Sequence, residues 1–332
     1  MPCLCMNIKH IASVLGSILT LGILMGSVGG CASTTIGSGA HSGSAALPDA
    51  PRQAVRIFDI KGSHADWDQM IDSLAQADVV VIGESHGHPL GLEAAALVFD
   101  DLLARTDSAA LAMEFFERDR QVALDDYLKG ITDEEAFRKA AHRTEGNYPE
   151  GHRRLIEAAK AAGRPVIAAN APRRYVHKAR KEGYDALANL TDEQKRLFVV
   201  PDVMPGGRYR DDFFSLMSGG EEGDDSSGHS GMAPDMVEAI FRAQAMWDAT
   251  MADSVYRATL AGNRPVVLVV GRFHADKEGG TIQLLKRLNP NLTIRTLSMV
   301  ISVDDVIDSD DIGNADFVIY TGRPGIDDVE DE

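Results

Sequence analysis

The chain is short of cysteine and of positive charge, and each shortage excludes some chemistry. Cysteine occurs only at Cys3, Cys5 and Cys31 in 332 residues. Past residue 31 there is no thiol, so the body can hold no disulfide, thiolate metal site or cysteine nucleophile. Lys and Arg number 33 against 50 Asp and Glu, a formal net charge of −17. The acid gathers in "EEGDD" (221–225), "DDVIDSDD" (304–311) and "DDVEDE" (327–332). A surface of this sign repels phosphate backbones, so nucleic acid is not an expected partner. No internal repeat of solenoid period is present either.

A long apolar run is present at residues 11–29, "IASVLGSILTLGILMGSVG", behind the short basic lead of Lys9 and His10. This order reads as a signal peptide over 1–30. Val28, Gly29, Gly30 and Cys31 resemble a bacterial lipobox. The resemblance implies cleavage before Cys31 and acyl lipid on that thiol. Ala32 rather than Asp follows, which by the same resemblance implies sorting to the outer membrane, with the body facing the periplasm. The alternative is an uncleaved N-terminal anchor. Either way the body is expected in the cell envelope, tethered to membrane. Residues 31–52, rich in Ser, Gly, Ala and Thr, read as a flexible tether.

From residue 53, short apolar runs alternate with helical stretches. Strands are expected at 54–60, 78–82, 109–113, 165–169, 265–270, 293–299 and 317–320. Helices are expected at 90–106, 133–142, 150–162, 172–182, 191–198 and 233–261. The alternation predicts an α/β fold over 53–325, with a largely parallel central sheet, helices on both faces and a helical lobe or insertion. Residues 218–234, "SGGEEGDDSSGHSGMAP", read as a mobile surface loop, and 326–332 as an acidic tail.

In open parallel sheets ligands bind beyond the carboxyl ends of the strands. Four expected strands run there into polar groups. Glu84, His86 and His88 follow the first, Glu114 and Glu117 the second, Asn170 and Arg173 the third, and Arg272, His274 and Asp276 the fourth. Two ends share the spacing Gly-x-x-His, "GESH" at 83–86 and "GRFH" at 271–274. Glu84, His86, His88, Glu114 and His274 therefore make a candidate cleft for acid–base work. His86, His274, Glu84 and Glu114 could also hold a divalent metal. Asp248, in an otherwise apolar helical stretch beside Trp247, either orients a cleft histidine or pairs in ordinary packing. Tyr148, Tyr175 and Tyr209 stand near Arg and His residues and are candidate haem ligands, as are His86 and His274.

The blocks "VVVIGESHGHPLGLEAA", "AMEFFERDRQ", "GNYPEGHRRLIEAAKAAGRPVIAANAPRR", "QAMWDATMADSV" and "VVLVVGRFHADKEGG" resemble the ChaN-like haem-binding uptake family. That family belongs to the Tiki superfamily, which also holds Tiki-type metalloproteases and erythromycin-esterase-like hydrolases. The resemblance runs in order through residues 53–322. It implies haem, or another small molecule, as ligand, and a role in haem or iron uptake from an outer-membrane lipoprotein. A homodimer is left open. By motif position it implies Glu84, His86, Glu114, Arg173, Asp248 and His274 as cleft residues. No tyrosine is assigned as iron ligand this way. Arg173, Arg174, Arg208 and Arg210 could meet haem propionates. The rival expectation is a hydrolase of the same superfamily, dependent on metal or on the histidines and Glu84 or Glu114. The insertion at 218–234 and the acidic tail depart from the pattern.

Overall fold

Val79–Glu84 and Val266–Gly271 are nearly unbroken runs of β-branched residues, buried along their whole length. Such runs suit strands covered on both faces. The computed structural model describes residues 47–218 and 232–322. In it β1 (Arg56–Asp59), β2 (Val79–Glu84), β3 (Ala110–Glu117), β4 (Val166–Asn170), β5 (Val266–Gly271), β6 (Ile294–Val300) and β7 (Phe317–Tyr320) form one 7-stranded sheet. The spatial order is β1-β7-β6-β2-β5-β3-β4. Every neighbouring pair is parallel except β1 with β7.

Besides the single turns Pro51–Ala54 and Asp192–Lys195, the helices are α1 (Trp67–Ala75), α2 (Pro89–Arg105), α3 (Gln121–Leu128), α4 (Glu134–Ala140), α5 (Glu150–Ala161), α6 (Arg173–Glu182), α7 (Arg208–Met217), α8 (Pro234–Leu260) and α9 (Gly280–Leu288). Strand residues alternate between two cores. Val80, Ile82, Leu111, Met113, Val267 and Val269 pack with residues of α1 to α5. Val79, Val81, Val266, Leu268 and Val270 pack with α8 and α9 on the other face. Burying each such side chain contributes about 1.5–3 kcal/mol before chain entropy is counted. The expected helical lobe takes the form of α6 and α7, which pack on α8 in two smaller clusters.

Register sets the site. Val79 lies opposite Val266 and Glu84 opposite Gly271. Ile82 and Met113 both pair with Val269, so β2, β5 and the regular part of β3 reach nearly the same level. All three exits thus share the carboxyl edge at the centre of the sheet.

Some elements differ from expectation. β3 continues past Met113 to Glu117, with a register shift between the two, so Glu114 belongs to the irregular end of a strand. The helix expected at 191–198 is only the turn Asp192–Lys195, closed by a Thr191 capping box. The chain leaves it because the Val199 N–H donates to Thr250 Oγ1 (2.9 Å), which docks this segment on α8. Helices α1, α3, α7 and α9 were not anticipated. The signal peptide, Cys31, most of the tether, most of 218–234 and the tail 326–332 lie outside the described residues. Among the described residues no helix is long and apolar enough to cross a membrane.

Candidate functional site

Glu84 is the last residue of β2, only 2% exposed. A carboxylate so placed needs strong partners. It has two imidazoles. His86 Nδ1 lies 3.0 Å from Oε1 and His152 Nε2 lies 2.7 Å from Oε2. Burial pushes the Glu84 carboxyl up, but His152 and His86 outweigh it and hold it below its ordinary value. The reciprocal effect appears on His86. Burial disfavours its charge, while Glu84 and Glu114 favour it more and raise it. The Phe115 ring packs on His152 with centroids 3.9 Å apart and meets His86 edge-on at 5.6 Å.

The second half of the site hangs on α8. Asp248 is fully buried. Its Oδ1 accepts from Thr281 Oγ1 at 2.7 Å and stands 2.7 Å from His274 Nδ1; its Oδ2 accepts from Tyr209 Oη at 2.6 Å. Three contacts on one carboxylate fix the His274 ring, with Nε2 facing Glu114 Oε1 at 3.7 Å. The Gln244 amide closes the cage 3.3 Å from the ring nitrogens. Burial works against charge on His274, but Asp248 and Glu114 prevail and push it up to about 9. Tyr209 moves the same way; burial and the adjacent Asp248 drive its phenol well above its ordinary value.

Glu114 links the halves. Its Oε2 accepts from the Gly271 N–H at 2.7 Å, while Oε1 faces His274. Two glycines make the assembly possible. A Cβ on Gly271 would stand 2.8 Å from His86 Nε2. One on Gly280, at the start of α9, would stand 2.1 Å from Asp248 Oδ2 and 2.7 Å from Tyr209 Cε1. The loop between His274 and α9 turns through Lys277 and Glu278, both with φ near +56°. That conformation is costly for side-chain-bearing residues and recurs at functional sites.

The structure therefore brings Glu84, His86, Glu114, Asp248 and His274 together. It does not bring the other expected residues into the same group. His88 is the N-cap of α2; its Nδ1 accepts from the Gly91 N–H at 2.9 Å. Arg173 is an exposed rim residue whose nearest carboxylate is Glu117, at 3.8 Å. Tyr148 is buried among Phe116 and Phe137, and Tyr175 packs on Phe198 under the Arg174 guanidinium. Neither phenol stands open at the cleft. Tyr209 is in the site, but as a donor to Asp248. Arg208 and Arg210 pair with Asp212 and Glu238.

The metal arrangement also fails to form: among the described residues no group of three or more His, Cys, Asp or Glu is placed to hold an ion. The physical reason is that the carboxylate lone pairs are already taken by N–H groups. Glu84 spends an oxygen on each of two imidazoles, and Glu114 Oε2 takes a main-chain N–H. His152 and Thr281 are the site residues that the sequence reading missed. His152 had a signal, since it shares the buried face of α5 with Leu155, Ile156 and Ala159 at helical spacing.

No curated protein matches the chain. Among solved structures, ChaN of Campylobacter jejuni, described as binding haem cofacially, aligns with a TM-score of 0.61 at 16% identity, covering 80% of this chain and 96% of that one. The type III effector HopBA1 aligns with a TM-score of 0.41 at 15% identity, over 77% and 93%. A mutant erythromycin esterase, EreC, in its open conformation gives 0.43 at 14% identity, over 80% and 82%. The family described as haem-binding uptake, Tiki superfamily, ChaN matches residues 70–285, so the stretch holding both halves of the site lies within the match and the chain belongs to that family.

Proposed function

We propose that the protein binds haem in haem or iron uptake, as a lipoprotein anchored through Cys31 in the outer membrane and facing the periplasm. The family match over residues 70–285 is the observation that carries the haem reading. A haem ligand must offer an open lone pair on the cleft wall. Of the expected ligands, Tyr148 and Tyr175 are packed into the interior, Tyr209 is committed to Asp248, and His274 is caged by Asp248, Glu114 and Gln244. His86 fits better. Its side chain is 25% exposed, its Nδ1 is held by Glu84, and its Nε2 makes no hydrogen bond among the described residues. A carboxylate on the far nitrogen orients such a ring and makes it a stronger ligand. With no thiol available, a thiolate-type haem spectrum is excluded by composition.

The geometry itself favours a second reading. A buried carboxylate fixing His274, beside Glu114, is an acid–base arrangement suited to hydrolysis of an ester or peptide. One set of variants separates the two. For the haem binder, titration of residues 53–332 gives a Soret shift that His86→Ala weakens or moves while His274→Ala leaves the iron spectrum in place. For the hydrolase, no saturable Soret change appears and His274→Ala abolishes turnover. A bound spectrum unchanged in His86→Ala would overturn the ligand assignment.

The order of basic lead, apolar run and "VGGC" supports the anchor. Cys31→Ser should leave an unlipidated precursor or release the protein from the membrane fraction. Unchanged mature mass together with unchanged membrane association would remove the lipoprotein reading.

A further inference from the structure

In a chain with 50 acidic and 33 basic side chains, four arginines gather where β3 and β4 end. Glu117, the last residue of β3, pairs in register with Asn170, the last of β4. Around this point stand Arg120, Arg143, Arg173 and Arg174. Two carboxylates serve them. Asp119 accepts from Arg174 Nη1 at 2.6 Å and lies 3.5 Å from Arg120 Nε, and Glu117 lies 3.8 Å from Arg173 Nε.

Arg143 has neither. Its Nε and Nη1 donate only to the carbonyls of Ala141 (3.1 Å) and Asn147 (3.5 Å), and its guanidinium lies over the Phe116 ring at 5.3 Å. Among the described residues it forms no ion pair, although it is half-buried. Arg120 reaches the same place, donating to Ala140 O at 3.4 Å with Nη2 at 3.4 Å from His142 Nδ1. The carboxyl end of α4 thus draws two guanidiniums together through its last carbonyls, whose partial negative charge does not neutralise them. Burial, then Arg173, pushes the Arg143 guanidinium below its usual range, and Glu117 offsets this only in part.

Gathered cations raise the free energy of a folded chain unless an anion joins them. Planar guanidiniums bind carboxylate and phosphate through paired N–H groups. The position also matters. Glu117 stands three residues beyond Glu114 on one strand, so the arginines share the sheet edge of the cleft. Between Glu114 and Glu117 in the strand, Phe115 packs on His152. We propose that Arg120, Arg143 and Arg173 form a subsite for a carboxylate or phosphate group of a small molecule that enters the cleft. The subsite stands beside the haem reading; only the identity of the anion as a propionate rests on it.

The test uses inorganic phosphate and two porphyrins. Calorimetric titration with phosphate at low ionic strength should show saturable binding, weakened at least tenfold by Arg173→Ala, an exposed position where folding is not at stake, and by Arg143→Gln. No binding, or binding indifferent to Arg173→Ala, overturns the subsite even if Arg143→Gln fails to fold. Haem and haem dimethyl ester then identify the source. A tenfold or greater preference for the free acid, lost in Arg173→Ala, places a propionate here. Equal affinity for acid and ester, with phosphate still bound, keeps the subsite and assigns it to another ligand's anion. Phosphate binding without any Soret change removes the haem reading and leaves the subsite standing.

Discussion

Asp248→Ala should destabilise the protein by about 3–5 kcal/mol, the range for removing one member of a buried ion pair. The substitution leaves His274 Nδ1, Tyr209 Oη and Thr281 Oγ1 without their common partner in a fully buried pocket. At this chain length that corresponds to a Tm lower by roughly 10 °C. Asp202→Ala is the control. Asp202 is ion-paired too, with Arg287 at 2.8 Å, but its side chain is 71% exposed. Exposed pairs are worth less than about 1 kcal/mol. Denaturant unfolding of both variants decides the matter: losses of similar size would mean that the Asp248 contacts carry no special weight.

The same contacts make stability depend on pH in a set direction. The His274 pKa is raised from 6.5 to about 9 in the folded chain. A raised histidine contributes stability that is complete below the unfolded value, near 6.5, and fades as pH climbs through the folded value. The unfolding free energy should therefore fall between pH 6.5 and 9, by up to roughly 3 kcal/mol for this shift, and His86, also raised, adds to the fall. Glu84 works at the other end. Its lowered carboxyl contributes stability above its unfolded value that is lost as pH falls below it. Chemical denaturation from pH 5 to 10 should give a descending alkaline limb, flatter in Asp248→Asn, where His274 loses the nearer of its two charged partners. A wild-type limb that is level to pH 9, or one unchanged in the variant, would show that His274 is not held charged by Asp248.

The sequence carried the sheet well because its strands are buried on both faces. Runs such as Val79–Ile82 and Val266–Val270 have no other reading in a chain whose helices lie between them. Strand order was not written there, since pairing of β2 with β5 joins Val79 to Val266 through no local feature. Polar strand ends pointed to Glu84, Glu114 and His274, whose positions follow from where strands stop. They misled at His88, whose ring caps a helix, because a cap and a cleft residue look alike when both follow a strand. His152 was hidden for a different reason. It lies on a helix, and its nearness to Glu84 depends on how α5 crosses the end of β2. The helix α9 escaped notice although it supplies Thr281 and the close approach at Gly280. Of the tyrosines suggested as haem ligands, Tyr148 and Tyr175 are placed in the core by aromatic packing that no spacing reveals.

The strand order also governs when this molecule can become itself. Among the strands of the sheet the first, β1, pairs with the last, β7, and β2 lies between β5 and β6, both from the far end of the chain. A chain lacking its final third keeps the β3–β4 pair but has nothing to join it to β2 or β1, so the centre of the sheet is missing. Closing such long loops costs entropy before any pairing repays it, which slows folding. The cleft, whose walls come from β2, β3 and β5, thus cannot close until β5 is in place between β2 and β3.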